Sequence, residues 1–379
     1  MYTIRDVARL AQVSTATVSF VSNGKAHVSE PLRRRVLDAM KALDYQPNQV
    51  ARSLQARRTH IIGMVVPQLT NAFFGEIMRG VEDRARQSSY SVIFCDSEED
   101  PELERQHLNT LFARRVDGVL ISSSNGLPQP EHSVMQRFPV VFVDRTPPRF
   151  SGTAVVSDNL GASREATHHL IALGHTRIAI ITGPPDLPIC SNRLEGFRWA
   201  MTKAHLRVAD EYLKRGDFKW ESGYRHGREL MQLTHPPTAI FCCNISMTLG
   251  LMRALTELNI PCPERVSVLG FDDFEWVASF RPQLTTVAQP TYEMGARATE
   301  ILVRKMKQEK GEGENCDEQV TVLPNQLRIR ESTAPPPPGP APSARRRVSR
   351  PAQSDKAARH EDIGATRNSK APNSLVSSG

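Results

Sequence analysis

Thr3-Ile4-Arg5-Asp6-Val7-Ala8-Arg9-Leu10-Ala11, Gln12-Val13-Ser14, Thr15-Ala16-Thr17-Val18-Ser19-Phe20-Val21-Ser22-Asn23 is the run around which this 379-residue chain is organised. Ile4, Val7, Ala8 and Ala11 recur at helical spacing, so the first segment reads as a short amphipathic helix. Ser14 suits the N-cap of a second helix whose inner face is Val18 with Val21. Two short helices joined by a tight turn make a helix-turn-helix. The second helix leaves Thr15, Ala16, Thr17 and Phe20 to meet base edges in a major groove. A third helix is predicted from about Glu30 to Leu43, capped by Ser29, with Val36, Leu37, Met40 and Leu43 inward.

The run Tyr45-Gln46-Pro47-Asn48-Gln49-Val50-Ala51-Arg52-Ser53-Leu54 follows directly. Together these first sixty or so residues resemble the head and hinge of the LacI/GalR family of bacterial transcriptional regulators. The resemblance implies that Thr3, Thr15, Ala16, Thr17, Phe20 and Asn23 in the head contact operator DNA, with Asn48, Ala51, Arg52 and Leu54 in the hinge. In the family the hinge is helical on the operator, where paired hinge helices enter the minor groove. The leucine at the position of Leu54 then wedges between central base pairs. The residues agree physically. Pro47 suits a helix start, and Val50, Ala51 and Leu54 form an apolar edge too small to bury without a partner helix. An apolar wedge with Arg52, Arg57 and Arg58 nearby suits minor-groove kinking. Phe20 departs from the family, which usually has Arg or His there; a thymine methyl would suit an aromatic ring.

Charge is distributed in keeping with this reading. Residues 1–60 carry ten Lys/Arg against four Asp/Glu, residues 61–333 thirty against thirty-four, and residues 334–379 eight against three. Both ends are basic and the middle slightly acidic, so phosphate is expected to meet mainly the head. No secretory segment opens the sequence and no apolar run approaches eighteen residues, so a cytoplasmic, nucleoid-associated protein with no membrane partner is expected. Cys95, Cys190, Cys242, Cys243, Cys262 and Cys316 show no zinc spacing, and Cys242-Cys243 lie in a strand-like run as reduced core residues. No metal and no cofactor is expected.

From Ile61 the period changes. Ile61–Val66, Gly118–Ile121, Val140–Val143, Ile178–Ile181 and Val266–Leu269 have the length and composition of buried parallel strands. Helix-length amphipathic stretches lie between them at 76–88, 102–114, 160–173, 192–205, 221–233 and 246–258. Such alternation predicts α/β architecture in doubly wound parallel sheets, and the segment is too long for one core. Two lobes with a cleft between them are expected. The motifs Thr70–Phe74, Arg115–Gly118, Arg193–Phe197, Gly270–Asp273 and Leu284–Val287 resemble the type I periplasmic-binding-protein fold that the family uses for effector sensing. That resemblance implies three crossings between lobes, near 158, 289 and 320. The expected organisation is an all-α helix-turn-helix domain at 1–46, a hinge helix at 47–60 and an effector-binding and dimerisation core at 61–333. Lobe 1 spans about 61–158 and 290–320, and lobe 2 about 159–289 and 321–333. The Pro-rich basic segment 334–379 is expected to be disordered.

A sugar cleft needs flat apolar groups against ring C–H faces and forked polar groups on adjacent hydroxyls. Phe73 and Phe74 follow the first strand and Phe218 comes from the second lobe, as an aromatic sandwich. Asp144-Arg145 and Asp272 end strands, Arg193 opens a helix, and Gln289 lies at a crossing. By motif these positions are similar to the pocket of ribose-binding proteins. That likeness adds Asn71, Ser157, Asn159, Asn244 and Phe271 to the implied effector contacts. Asn244 is followed by Ile245 where the family has a capping Asp, so a cap shifted to Ser246 is expected. Purine-responsive relatives place polar groups where this chain has Leu187 and Ile189, which favours ribose or a close pentose.

These residues point to a homodimeric, sugar-responsive repressor on a palindromic operator, and no catalytic residue is assigned. A purine-corepressed regulator of the same family is the alternative. A free sugar-transport protein is disfavoured by the head and the missing export signal. His168-His169 cannot share a ligand as helix neighbours, and Asp272-Asp273 reads as a sugar contact followed by a cap. No leucine heptad closes the chain, so a dimer is expected over a tetramer.

Overall fold

The computed structural model describes residues 2–22, 28–46, 58–124, 138–147, 150, 152–308 and 319–338. The expected hinge helix, with Asn48, Ala51, Arg52 and Leu54, lies outside them, as do Asn23 and the tail beyond Pro338.

The head is three helices, α1 (Ile4–Ala11), α2 (Thr15–Ser22) and α3 (Glu30–Ala42). Val7, Ala8, Ala11, Val18, Val21, Val36 and Ala39 close its core, with Ile4, Met40 and Leu43 packed around them. Gln12 turns the chain after α1 in a left-handed conformation at φ 54°. Arg35 of α3 donates to the Ala11 carbonyl at 2.6 Å, tying the end of α1 to the third helix. Ser14 Oγ accepts from the Thr17 N–H at 3.1 Å and caps α2 as expected. Leu37 corrects the reading of α3. It is 48% exposed, because the inner stripe runs Val36, Ala39 and Met40, and Leu37 sits one residue off it.

The rest of the described chain builds two six-stranded sheets. Sheet one comprises β1 (Ile61–Val66), β2 (Ser91–Asp96), β3 (Gly118–Ile121), β4 (Val140–Val143), β5 (Ala154–Ser157) and β11 (Val320–Leu323). Its order is β11-β5-β4-β3-β1-β2, and every pairing is parallel. Sheet two comprises β6 (Ile178–Thr182), β7 (Leu213–Arg215), β8 (Ala239–Cys242), β9 (Ser267–Phe271), β10 (Thr285–Ala288) and β12 (Gln326–Arg328). It runs β12-β10-β9-β8-β6-β7, parallel except for β12 against β10.

Parallel strands must be covered on both faces, and they are. In lobe one, α4 (Ala72–Gln87) and α10 (Thr291–Gln308) share one core, while α5 (Pro101–Ala113) packs on a second. In lobe two, α6 (Asn159–Ala172) and α7 (Pro188–Lys203) lie over one core, and α8 (Trp220–Met231) and α9 (Ile245–Glu257) over the other. Gly80 of α4 and Gly295 of α10 let their helices meet backbone to backbone; a Cβ on either would collide with a carbonyl oxygen of the other helix. No helix among the described residues is long and apolar enough to cross a membrane.

The two-lobed α/β architecture is as expected, with three differences of detail. The third crossing falls between β11 and β12, at Pro324-Asn325, a few residues later than expected, because Val320–Leu323 extend sheet one beside β5. The helices α4 and α7 begin at Ala72 and Pro188, four residues before the amphipathic stretches seen in sequence. The last difference is at the C-terminal end of the core. Ala334 belongs to the fold: its N–H donates to Ser267 Oγ at 3.0 Å, and its carbonyl meets His175 Nε2 at 2.8 Å.

Candidate functional site: the cleft between the lobes

The carboxyl ends of the strands in both sheets converge on one cavity of about 260 Å³. Ligands of open α/β sheets bind at such strand ends. Lobe one contributes Asn71, Phe73 and Phe74 after β1, and Asp144 with Arg145 after β4. Lobe two contributes Ile189 and Arg193 from α7, Phe218 after β7, Asn244 after β8 and Asp272 after β9, with Gln289 at the second crossing. Asp144, Phe218 and Asp272 all hold left-handed backbone, at φ 65°, 66° and 77°. That conformation is unfavourable for side chains other than glycine, and it turns each of these three side chains off its strand end into the cavity.

The charged groups are held before any ligand arrives. Arg193 donates to Asn159 Oδ1 and to the Cys243 carbonyl, both at 2.7 Å, and its guanidinium lies 3.6 Å from the centre of the Phe271 ring. Gln289 Nε2 donates to Asp272 Oδ1 at 2.6 Å, and Gln289 Oε1 accepts from Ser157 Oγ at 2.5 Å. Ser157 ends β5 at the first crossing, so this chain of hydrogen bonds joins two crossings to a pocket carboxylate. Arg145 donates through Nη1 to both oxygens of Glu99, at 3.0 and 2.9 Å. Its guanidinium carbon stands 5.6 Å from the Phe74 ring centre and 5.2 Å from that of Phe218. The predicted aromatic sandwich therefore brackets an arginine.

Asp144 and Asp272 are 3% and 4% exposed. Burial pushes the Asp144 carboxyl up to about 6, against the pull of Arg145 and Arg193. Burial also raises Asp272, opposed by Arg193 and the Gln289 hydrogen bond. Asp144 Oδ1 and Arg145 Nε are buried without a hydrogen-bond partner, Nε standing 3.8 Å from Asp144 Oδ2 in an ion pair. Two unmatched polar atoms on adjacent residues at the wall of a cavity are a standing demand for a polar ligand. Two carboxyl groups face two guanidiniums, so the wall suits a neutral ligand rich in hydroxyls better than an ion.

Of the thirteen residues expected at the cleft, Ser157, Asn159 and Phe271 do not line it; they brace Gln289 and Arg193 from behind. Asn244 does line it and caps α9 itself, accepting from the Met247 N–H at 3.2 Å, so the expected shift to Ser246 does not occur. Ile189, singled out in sequence as an apolar position against a purine, lines the wall from the first turn of α7. One residue escaped the sequence reading: Glu99 holds Arg145, and the acidic run Glu98-Glu99-Asp100 just past the end of β2 was the available signal. Asp273 is not a cap: Arg328 and Arg330 grip it at 2.5 and 2.7 Å. His169 is committed to Thr333 Oγ1 at 3.0 Å. Cys190 and Cys242 are buried thiols pushed up to about 11 and 12 by their burial, and burial also raises Cys243 well above the usual thiol range.

On the head, Thr15, Ala16 and Phe20 are exposed and Thr17 is half-buried. Thr3 caps α1, its N–H and hydroxyl donating to Asp6 Oδ2 at 2.9 and 2.8 Å.

A helix-turn-helix and a hinged two-lobe binding core on one chain define a ligand-responsive DNA-binding protein. Comparison with known proteins narrows this class. Residues 3–48 match the model of the bacterial regulatory proteins of the lacI family, and residues 167–333 match that of the periplasmic binding protein-like domain. The ribose operon repressor of Escherichia coli (strain K12) is 41% identical over 316 residues, 81% of this chain and 94% of that protein. The transcriptional repressor PurR of Vibrio cholerae is 38% identical over 82% of this chain and 94% of its own length. Among solved structures, the lac repressor dimer bound to operator and the anti-inducer ONPF superposes with a TM-score of 0.79 at 29% identity, covering 88% of this chain and 99% of that one. The chain belongs to the LacI family of bacterial regulatory proteins and is a DNA-binding transcriptional regulator.

Proposed function

We propose that this regulator is a homodimeric repressor of a sugar-utilisation operon, released from a palindromic operator when a small sugar, ribose first among candidates, enters the interlobe cleft. The observation that carries this is the pair of unmatched buried atoms, Asp144 Oδ1 and Arg145 Nε, beside two aromatic rings in a charge-balanced cavity. A pentose offers what they ask for: adjacent hydroxyls that both donate and accept, and C–H faces for Phe74 and Phe218. The likeness to a ribose operon repressor points the same way. A purine corepressor, as the likeness to PurR would allow, would face the apolar Ile189 on this wall.

Sugar contacts from both lobes favour a closed core, and Ser157 and Gln289 tie that closure to two crossings. Closure on sugar then competes with the arrangement that seats the heads and hinges on DNA. The coupling is reciprocal, so operator must weaken sugar binding by the same factor as sugar weakens operator binding. Dimerisation belongs to the same proposal. Trp220, Trp276 and Phe280 are exposed on lobe two, and Arg253 stacks over Trp220 at 5.1 Å; aromatic and arginine surface of this kind builds interface cores.

Calorimetric titration of D-ribose into the full chain tests the effector. Saturable binding that Asp272→Ala or Arg193→Ala abolishes, together with release of operator, is the expected result. Absence of ribose binding, with tight binding of a purine that strengthens operator affinity, would replace the sugar reading by the corepressor one.

A further inference from the structure

We infer that α2 selects its half-site through thymine methyl groups, without the forked cationic or carboxamide contacts that pick out guanine and adenine. This rests on the proposal that the chain binds an operator, and it names the base feature that α2 selects. The eight residues of α2, Thr15-Ala16-Thr17-Val18-Ser19-Phe20-Val21-Ser22, hold no guanidinium, ammonium, carboxamide or carboxylate. Val18 and Val21 are consumed by the head's core. Thr17 Oγ1 lies 2.9 Å from Ser14 Oγ, and Ser22 Oγ donates to the Ser19 carbonyl at 3.1 Å, so these two hydroxyls have local partners. The exposed face is then the Thr15 side chain, the Ala16 methyl and the Phe20 ring, which is 44% exposed.

Guanine in a major groove is read by a forked cationic donor and adenine by a carboxamide. Helix α2 has neither. Its outer face instead complements the one apolar feature of that groove, the C5-methyl of thymine. The charge that draws the head to DNA lies on the other helices: Arg5 and Arg9 on α1, and Arg33 and Arg34 on α3, are all exposed. Phosphate attraction and base choice are thus divided between helices, the first carrying affinity and the second carrying sequence. A half-site read by α2 is therefore rich in thymine where that helix faces it.

The test starts with selection of binding sites by the full chain from a randomised DNA pool. Each thymine of the enriched half-site is then replaced by deoxyuridine, which deletes the methyl and keeps the pairing edge. The inference expects enriched thymines in each half-site, and about a fourfold loss of affinity for each α2-facing methyl removed, the worth of one buried methyl-sized group. Phe20→Ala should remove the sensitivity at one position, and Phe20→Arg should move the preference there towards guanine. Equal affinity for thymine and deoxyuridine throughout an enriched palindrome would overturn the methyl readout and leave the operator reading standing. A pool with no enriched sequence would overturn both.

Discussion

Asp144 is where residue chemistry becomes measurable. Its carboxyl is buried and pushed up to about 6, and one of its oxygens has no hydrogen-bond partner. A sugar hydroxyl donating to that oxygen favours the charged form, so the bound state has the lower pKa. Sugar affinity should be full above pH 6 and weaken as pH falls through it, approaching about tenfold per unit further down. Titrations at pH 5 and pH 7.5, in buffers of different ionisation enthalpy, check both the affinity and the proton released between those limits. A pH-independent affinity would remove Asp144 from the ligand's contacts. Asp273 gives the opposite case. Burial works to raise its carboxyl, but hydrogen bonds from Arg330, Thr286 and Arg328 outweigh that and hold it below the ordinary range. Arg330→Ala would leave the Asp273 carboxylate held only by Arg328 and Thr286, and unfolding in urea should show a loss of about 1.5–3 kcal/mol. The residue types of the cleft were legible because aromatic, acidic and basic side chains stood at the ends of apolar runs. Glu99 was not, because its importance lies in the arginine that the fold brings beside it.

At the scale of elements, the head depends on the cap of α2. Ser14→Ala removes the acceptor for the Thr17 N–H and should cost about 1 kcal/mol, read as a lower thermal midpoint of the isolated helical signal, while Leu37→Ala at its exposed position should cost far less. Gly80→Ala would force a methyl against the Tyr292 carbonyl and separate α4 from α10, with a loss of about 1–3 kcal/mol on urea unfolding. Six core helices followed from a 3.6-residue period and five strands from short unbroken apolar runs, both local properties; α10 and the strands β2, β5, β7, β10, β11 and β12 were not read in sequence. Helix starts were not legible either. Asn71 caps α4 and Pro188 stands in the first turn of α7, but the turns they open carry Phe73, Phe74 and Ile189, apolar residues on the cavity side that break an amphipathic pattern. The functional site itself blurred the signal at its own borders.

For the whole molecule, two-fold symmetry is the proposal with the widest consequence. Trp220→Glu should shift the chain from dimer to monomer in light scattering and lower operator affinity far more than sugar affinity, because each cleft is complete within one chain. A variant that stayed dimeric would move the interface elsewhere. The local sequence determined the helix-turn-helix, the alternation of strand and helix, and the kinds of side chain offered to a ligand, because these depend on spacing and on residue chemistry alone. Only the tertiary structure decided which groups meet. Ser157 and Gln289 are 132 positions apart yet hydrogen-bonded at 2.5 Å, Arg330 reaches back 57 positions to Asp273, and Ala334 is pinned onto lobe two by Ser267 and His175. Such meetings are set by sheet order and by where the chain crosses between lobes, and no local pattern encodes either.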